Sequence, residues 1–182
     1  MLNAYQGSHD EGIKIMAESV GNDMRRLRER EGSEPPLLAA TFLRLALGAG
    51  FLSAVADRLG FWGPPGTPLV AWGNFHNFLL YTAKLNPWCT APYLPWLGVL
   101  VTVAEAGLGL LLIAGFLTRI AGLLTGIITL VFALAMTFVL GVHAPLNYSV
   151  FVFSAASFLL ASQARDRLSV DRFLDLKRSH SE

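Results

Sequence analysis

The residues in this chain best placed to do chemistry are charges set inside apolar sequence. Glu105 lies within the run Tyr93–Phe116, about 16 Å from either end at helical rise, and Arg44 lies about 10 Å into the run Leu37–Ala56. A charge near the middle of a bilayer costs roughly 2.5–3.5 kcal/mol on insertion scales, so such residues turn inward and find partners. An arginine side chain is long enough to close much of the depth difference, and an Arg44–Glu105 pair is therefore expected. It would act either as an internal strut that fixes helix register or as a proton-carrying or ligand-orienting carboxylate. Glu105 and Arg44 are catalytic candidates on that ground, with His76 as a third.

A second polar group gathers between the first two runs and after the third. Asp57 and Arg58 follow the first run as either an exposed interfacial pair of little worth or the rim of a site shared with His76, Asn86 and His143. Trp62, Trp72, Trp88 and Trp96, with Tyr81 and Tyr93, all fall on this same side. Amphipathic rings mark a membrane–water boundary, but this number exceeds what anchoring needs and leaves room for a planar ligand. Two histidines could ligate haem or copper, yet metal sites usually need more ligands at fixed spacing. No metal is assigned, and haem and copper are not expected. An imidazole donating to a quinone carbonyl is the more reasonable use, which makes Trp72, His76, Tyr81, Asn86 and His143 a candidate quinone site.

The elements that must position these residues are four apolar runs, roughly Leu37–Ala56, Tyr93–Phe116, Ile120–Leu140 and Tyr148–Ala161. A bilayer core of ~30 Å needs about 20 apolar residues in helix, because backbone amides in lipid must be satisfied within the segment. Three runs meet that length. The fourth reaches about 18 residues when Leu146, Asn147, Ser162 and Gln163 serve as its interfacial turns. The expected class is all-α: an integral membrane four-helix bundle with an outer interfacial or re-entrant helix in Leu69–Leu85. Small residues, including Gly122-x-x-x-Gly126, Gly107, Gly109, Gly48 and Gly50, suit close helix contact in lipid or, for the third-run motif, a homodimer face.

Flanking charge sets the orientation. Lys14, Arg25, Arg26, Arg28, Arg30, Arg119, Arg165, Arg167, Arg172, Lys177 and Arg178 fall on the side of the tails, and only Arg58 and Lys84 on the other. The positive-inside rule then makes both termini cytoplasmic. Residues 1–36 are expected to hold an amphipathic helix at 12–31 (Ile13, Met16, Val20, Met24 and Leu27 on one face) and a Gly/Pro linker. Residues 37–163 form the membrane domain, and 164–182 a tail with a weaker surface helix at Arg165–Lys177. The first 30 residues are too polar for a secretory leader, so the first run is expected to signal insertion.

Composition excludes several classes. The chain is 53% hydrophobic and 15% charged, and a net charge of +1 offers no basic face for nucleic acid. Cys89 is the single cysteine, so no intrachain disulfide or paired-thiol motif exists. There is no Ser/His/Asp constellation, phosphate-cradling glycine loop or zinc signature.

The stretches WGNFHNFLLYTAKLNPW (Trp72–Trp88), TVAEAGLGLLLIAGFLTR (Thr102–Arg119), HAPLNYSVF (His143–Phe151) and LRLALG (Leu43–Gly48) together resemble the DoxX/DoxD family of small bacterial membrane proteins. The mid-run Glu105, the glycine-rich stretch to Gly115 and Thr118-Arg119 are the most distinctive part. The resemblance spans about Leu37–Gln163. It implies a four-helix protein of the bacterial inner membrane, similar in its DoxD members to a subunit of a thiosulfate:quinone oxidoreductase and, in other members, associated with redox-stress complexes. The function expected is a redox-associated, quinone-linked subunit in the lipid bilayer with a protein partner or a second copy of itself. The alternative is a non-catalytic membrane scaffold or assembly factor.

Overall fold

The structure, a computed structural model, describes residue 16, residues 18–24 and residues 37–163. Residues 16 and 18–24 are helical, within the expected amphipathic segment, and belong to a unit separate from residues 36–182. The rest of that segment, the linker before Leu37 and the expected helix at Arg165–Lys177 lie outside the described residues.

In the second unit the described residues form α1 (Leu37–Arg58), α2 (Phe75–Leu85), a 3-10 turn (Ala91–Tyr93), α3 (Leu94–Ala114), α4 (Thr118–Leu140), α5 (His143–Asn147) and α6 (Val150–Ser162). α1, α4 and the helix formed by the 3-10 turn with α3 are long and apolar enough to cross a membrane. Their surfaces fit that solvent: Phe42, Val103, Leu110, Phe138 and Val152 are exposed, while Arg44, Arg58 and Glu105 are buried. In water this distribution would be inverted.

The fourth apolar run is shorter than expected. Leu146 and Asn147 belong to the separate five-residue α5, and Ser149, at φ 54°, breaks the backbone before α6 begins. The 13 residues of α6 cover only about 20 Å at helical rise. At the other end of the bundle, Gly115 at φ 68° closes α3, and Leu117 at φ 51° starts α4 three residues after α3 ends. So short a connection makes the two helices antiparallel neighbours.

Packing joins α1 to α3 and α4 to α6 most closely. A Cβ added at Gly48 would stand 2.9 Å from the Gly109 carbonyl oxygen, so the α1–α3 backbones nearly touch. The Gly122/Gly126 motif is consumed in the same way inside the chain. Gly122 packs on the α6 backbone at Ser157 and Ala161, and Gly126 on the Phe158 ring. It is therefore not a free face for a second copy. Leu47, Phe51, Leu108, Leu112, Ala121 and Leu160 form the core between the pairs, and Phe51 stacks on Phe153 at 5.5 Å. α2 lies against α3 and α4, at the end of the bundle where α1 finishes.

Candidate functional site

The site grows from the last turn of α1. Asp57 and Arg58 are 5% and 3% exposed, so neither is a surface residue, and they turn to different partners. The Asp57 carboxylate accepts from three successive loop amides, Ala71 N (3.1 Å) and Trp72 N (3.0 Å) on Oδ2 and Gly73 N (3.3 Å) on Oδ1. This fastens the 59–74 loop to the end of α1 and places Trp72. Asn77 Nδ2 then donates to the Trp72 carbonyl (3.0 Å), and Asn74 caps α2 by accepting from Asn77 N (2.8 Å). Trp72 is thus held from both sides.

Arg58 points back into the bundle. Its guanidinium carbon lies 3.9 Å from the Phe78 ring centroid and 5.1 Å from that of Trp72, so the ring faces replace water around the cation. Nη1 donates to Thr102 Oγ1 (3.2 Å), and Nη2 stands 2.7 Å from Glu105 Oε2. At that distance guanidinium and carboxylate form a close ion pair. Oε2 is buried beneath that guanidinium. A buried cation and a buried anion are each costly alone, and here each removes the other's cost.

Glu105 also borders a cavity of about 250 Å³ between α2, α3 and α4. Its polar lining is Thr82, Asn86, Glu105 and Thr129; the rest is apolar, including Phe78, Phe132, Val101 and Val131. Rings connect it to the Arg58 shell, since Tyr81 lies 6.2 Å from Trp72 and 6.3 Å from Phe132. Burial pushes the Tyr81 phenol above its usual range, and the nearby Tyr148 adds to the shift. The volume lies near the lower edge of the ~300–1,000 Å³ typical of small-molecule sites. It suits a single ring whose substituents extend beyond the cavity.

Residues 40–182 match the family described as "TQO small subunit DoxD". The chain belongs to the DoxD family. This is a DoxX-like family of small membrane proteins. No curated protein and no solved structure matches the chain significantly.

Within this DoxD chain the expected Arg44–Glu105 pair does not form. Arg44 is buried, but its Nη1 donates to the Leu112 (2.9 Å) and Ile113 (3.2 Å) carbonyls. Those groups lie seven and eight residues beyond Glu105, about 10 Å along the axis of α3. Arg44 therefore works nearer the α3 C-terminus, where the negative end of the helix attracts a cation. The guanidinium that answers Glu105 comes from Arg58, which reaches inward from the opposite end of α1. Of the other expected residues, Trp72 and Tyr81 fall in the ring cluster and Asn86 in the cavity wall, whereas His76 and His143 are exposed. Thr82, Thr102, Phe78, Thr129 and Phe132 were not singled out from sequence. Helical spacing from known neighbours offered the one available signal: Phe78, Thr82 and Leu85 form the buried stripe of α2, and Thr102 lies one turn before Glu105.

Proposed function

We propose that this chain is the membrane subunit of a quinone-linked redox complex, with the cavity beside Arg58–Glu105 as its headgroup site. The observation that carries this reading is a buried ion pair bordering a ring-sized, mostly apolar cavity within the membrane domain. The family description, a small subunit of TQO, supports thiosulfate:quinone oxidoreductase chemistry and a larger partner chain. When bound, the quinone supplies the two-electron chemistry. This chain's part is to bind the ring, orient it and exclude water from it. Thr82, Asn86, Glu105 and Thr129 would address the ring's polar groups, and Phe78 and Phe132 its faces. The partner would deliver electrons from the sulfur donor. We place both termini in the cytoplasm of a bacterial inner membrane, on the basic-residue asymmetry, with α5 and α6 together completing a fourth crossing. Residues 1–36 and 164–182 then form cytoplasmic extensions.

The test is purification of the full chain in lipid nanodiscs from quinone-containing membranes, followed by solvent extraction and titration with a decyl-substituted benzoquinone. Extracted quinone, and saturable quenching of tryptophan emission, are expected. A chain that retains a protein partner but neither carries nor binds quinone would instead be a scaffold, and the proposal would fall.

A further inference from the structure

The hydrogen-bonding character of the cavity wall is one-sided. Thr82 Oγ1 donates its only proton to the Phe78 carbonyl (2.8 Å), and Thr129 Oγ1 donates its own to the Thr125 carbonyl (2.7 Å). Both hydroxyls line the cavity with their donors already used, so only oxygen lone pairs remain for a ligand. The Asn86 amide gives one hydrogen to the Thr82 carbonyl (2.9 Å) and keeps one donor and one acceptor. Ion-paired Glu105 can only accept, with Oε2 buried against the Arg58 guanidinium. Arg58, the strongest donor nearby, stands behind Glu105 and is not part of the lining. Apart from a single amide hydrogen, the wall is made of acceptors.

We infer that this cavity selects a lipid-soluble ring bearing hydroxyl donors, and so holds the hydroquinone form more tightly than the quinone. The inference rests on the proposed quinone-linked function and concerns its redox-state preference. A quinone carbonyl set against Thr82, Thr129 and Glu105 would oppose acceptor to acceptor, leaving buried groups unpaired on both sides, the costly case. A hydroquinone hydroxyl brings a donor to these lone pairs, and one given to the Glu105 carboxylate is charge-assisted, about twice as strong as a neutral hydrogen bond. The ring's substituent leaves toward lipid beside Val131, which lines the cavity and is 62% exposed. Preferential binding of the reduced form raises the potential of the bound couple by about 30 mV for each tenfold in affinity, because two electrons are involved. That bias favours filling the site by reduction.

The test is anaerobic titration of the full chain in nanodiscs with decyl-benzoquinone and, separately, decyl-benzohydroquinone, read by tryptophan emission. Hydroquinone is expected to bind at least tenfold more tightly. Thr82→Val and Thr129→Val, which keep shape and remove an acceptor, should each reduce the preference several-fold. Glu105→Gln should abolish it, and the two threonine variants carry the test if that protein does not fold. Val131→Trp should weaken both ligands at least tenfold, while Val103→Trp, at an exposed position of α3 outside the lining, should change neither. Equal or tighter binding of the quinone overturns the inference and leaves the proposed function standing. An inert Val131→Trp places the ligand elsewhere and overturns the inference as well. Failure of the wild-type chain to bind either ligand overturns both.

Discussion

Replacing Arg58 by Met removes more than one contact. The side chain is nearly fully buried, stands 2.7 Å from Glu105, donates to Thr102 and lies over the Phe78 and Trp72 rings. Removing one member of a buried ion pair costs roughly 3–5 kcal/mol, because the remaining charge stays desolvated. Arg58→Met should fall in that range. Glu105→Leu should cost somewhat less, since the two rings still cover the guanidinium face it leaves behind. The double variant Arg58→Met/Glu105→Leu removes both charges, and a buried pair exchanged for apolar groups of similar volume is often neutral. With one single variant at about 3–5 kcal/mol, the other somewhat less and a near-neutral double, the cycle should show a coupling of more than about 3 kcal/mol between positions 58 and 105, above the 0.5–3 kcal/mol usual for contacting residues. A parallel cycle with Arg44→Met should show about 0.5 kcal/mol or less, as for sites ~10 Å apart without a shared partner. The assay is unfolding in mixed micelles with increasing SDS, followed by tryptophan emission, to which Trp72 beside Arg58 contributes directly. A coupling below about 0.5 kcal/mol for Arg58–Glu105, or a larger one for Arg44–Glu105, would refute the assignment of partners.

Three further outcomes are expected. Asp57→Ala should unfasten the 59–74 loop, because three amides lose one shared acceptor; a loss of about 1–3 kcal/mol and faster limited proteolysis within the loop would show it, and unchanged proteolysis would count against the clasp. Gly48→Val should separate α1 from α3, since even a Cβ would stand 2.9 Å from the Gly109 carbonyl; a cost of about 1–3 kcal/mol is expected by SDS titration, against little change for Gly107→Ala, where the added Cβ meets nothing within 4 Å. Tyr81 should ionise above the ordinary 10.0 in an ultraviolet titration, because burial opposes the phenolate. With its folded value raised, its contribution to stability is complete below pH 10.0 and is lost as pH climbs through the raised value; Tyr81→Phe should remove that alkaline loss.

The three long helices were legible in the sequence because lipid leaves a polypeptide few choices. An apolar run of sufficient length must satisfy its own amides, and α1, α3 and α4 begin and end within a few residues of their runs. That Glu105 would be buried and ion-paired followed from the same reasoning: solvation cost depends on depth, which the residue's place in the run supplies. The helix expected within Leu69–Leu85 was legible in outline, and its start became fixed only through Asn74, whose side chain caps α2.

The choice of partner was not legible. Depth along the helices pointed to Arg44 as the partner of Glu105 and set Arg58 beside Asp57 at the end of the first run, and the outcome turned on rotation and side-chain direction. Arg58 folds inward over Phe78, while Arg44 is taken by carbonyls at the far end of α3. Asp57, adjacent to Arg58 in sequence, was separated from it by a loop that returns to present three amides. The glycine motif of α4 went to α6 rather than to a second copy, and the fourth run broke at Ser149, where a local backbone angle outweighed apolar composition. Composition and depth are properties of one segment against its solvent, so sequence alone fixes them. Which charge meets which, and which hydroxyls keep a free donor beside a cavity, depends on atoms far apart in the chain, and only the packed helices decide it.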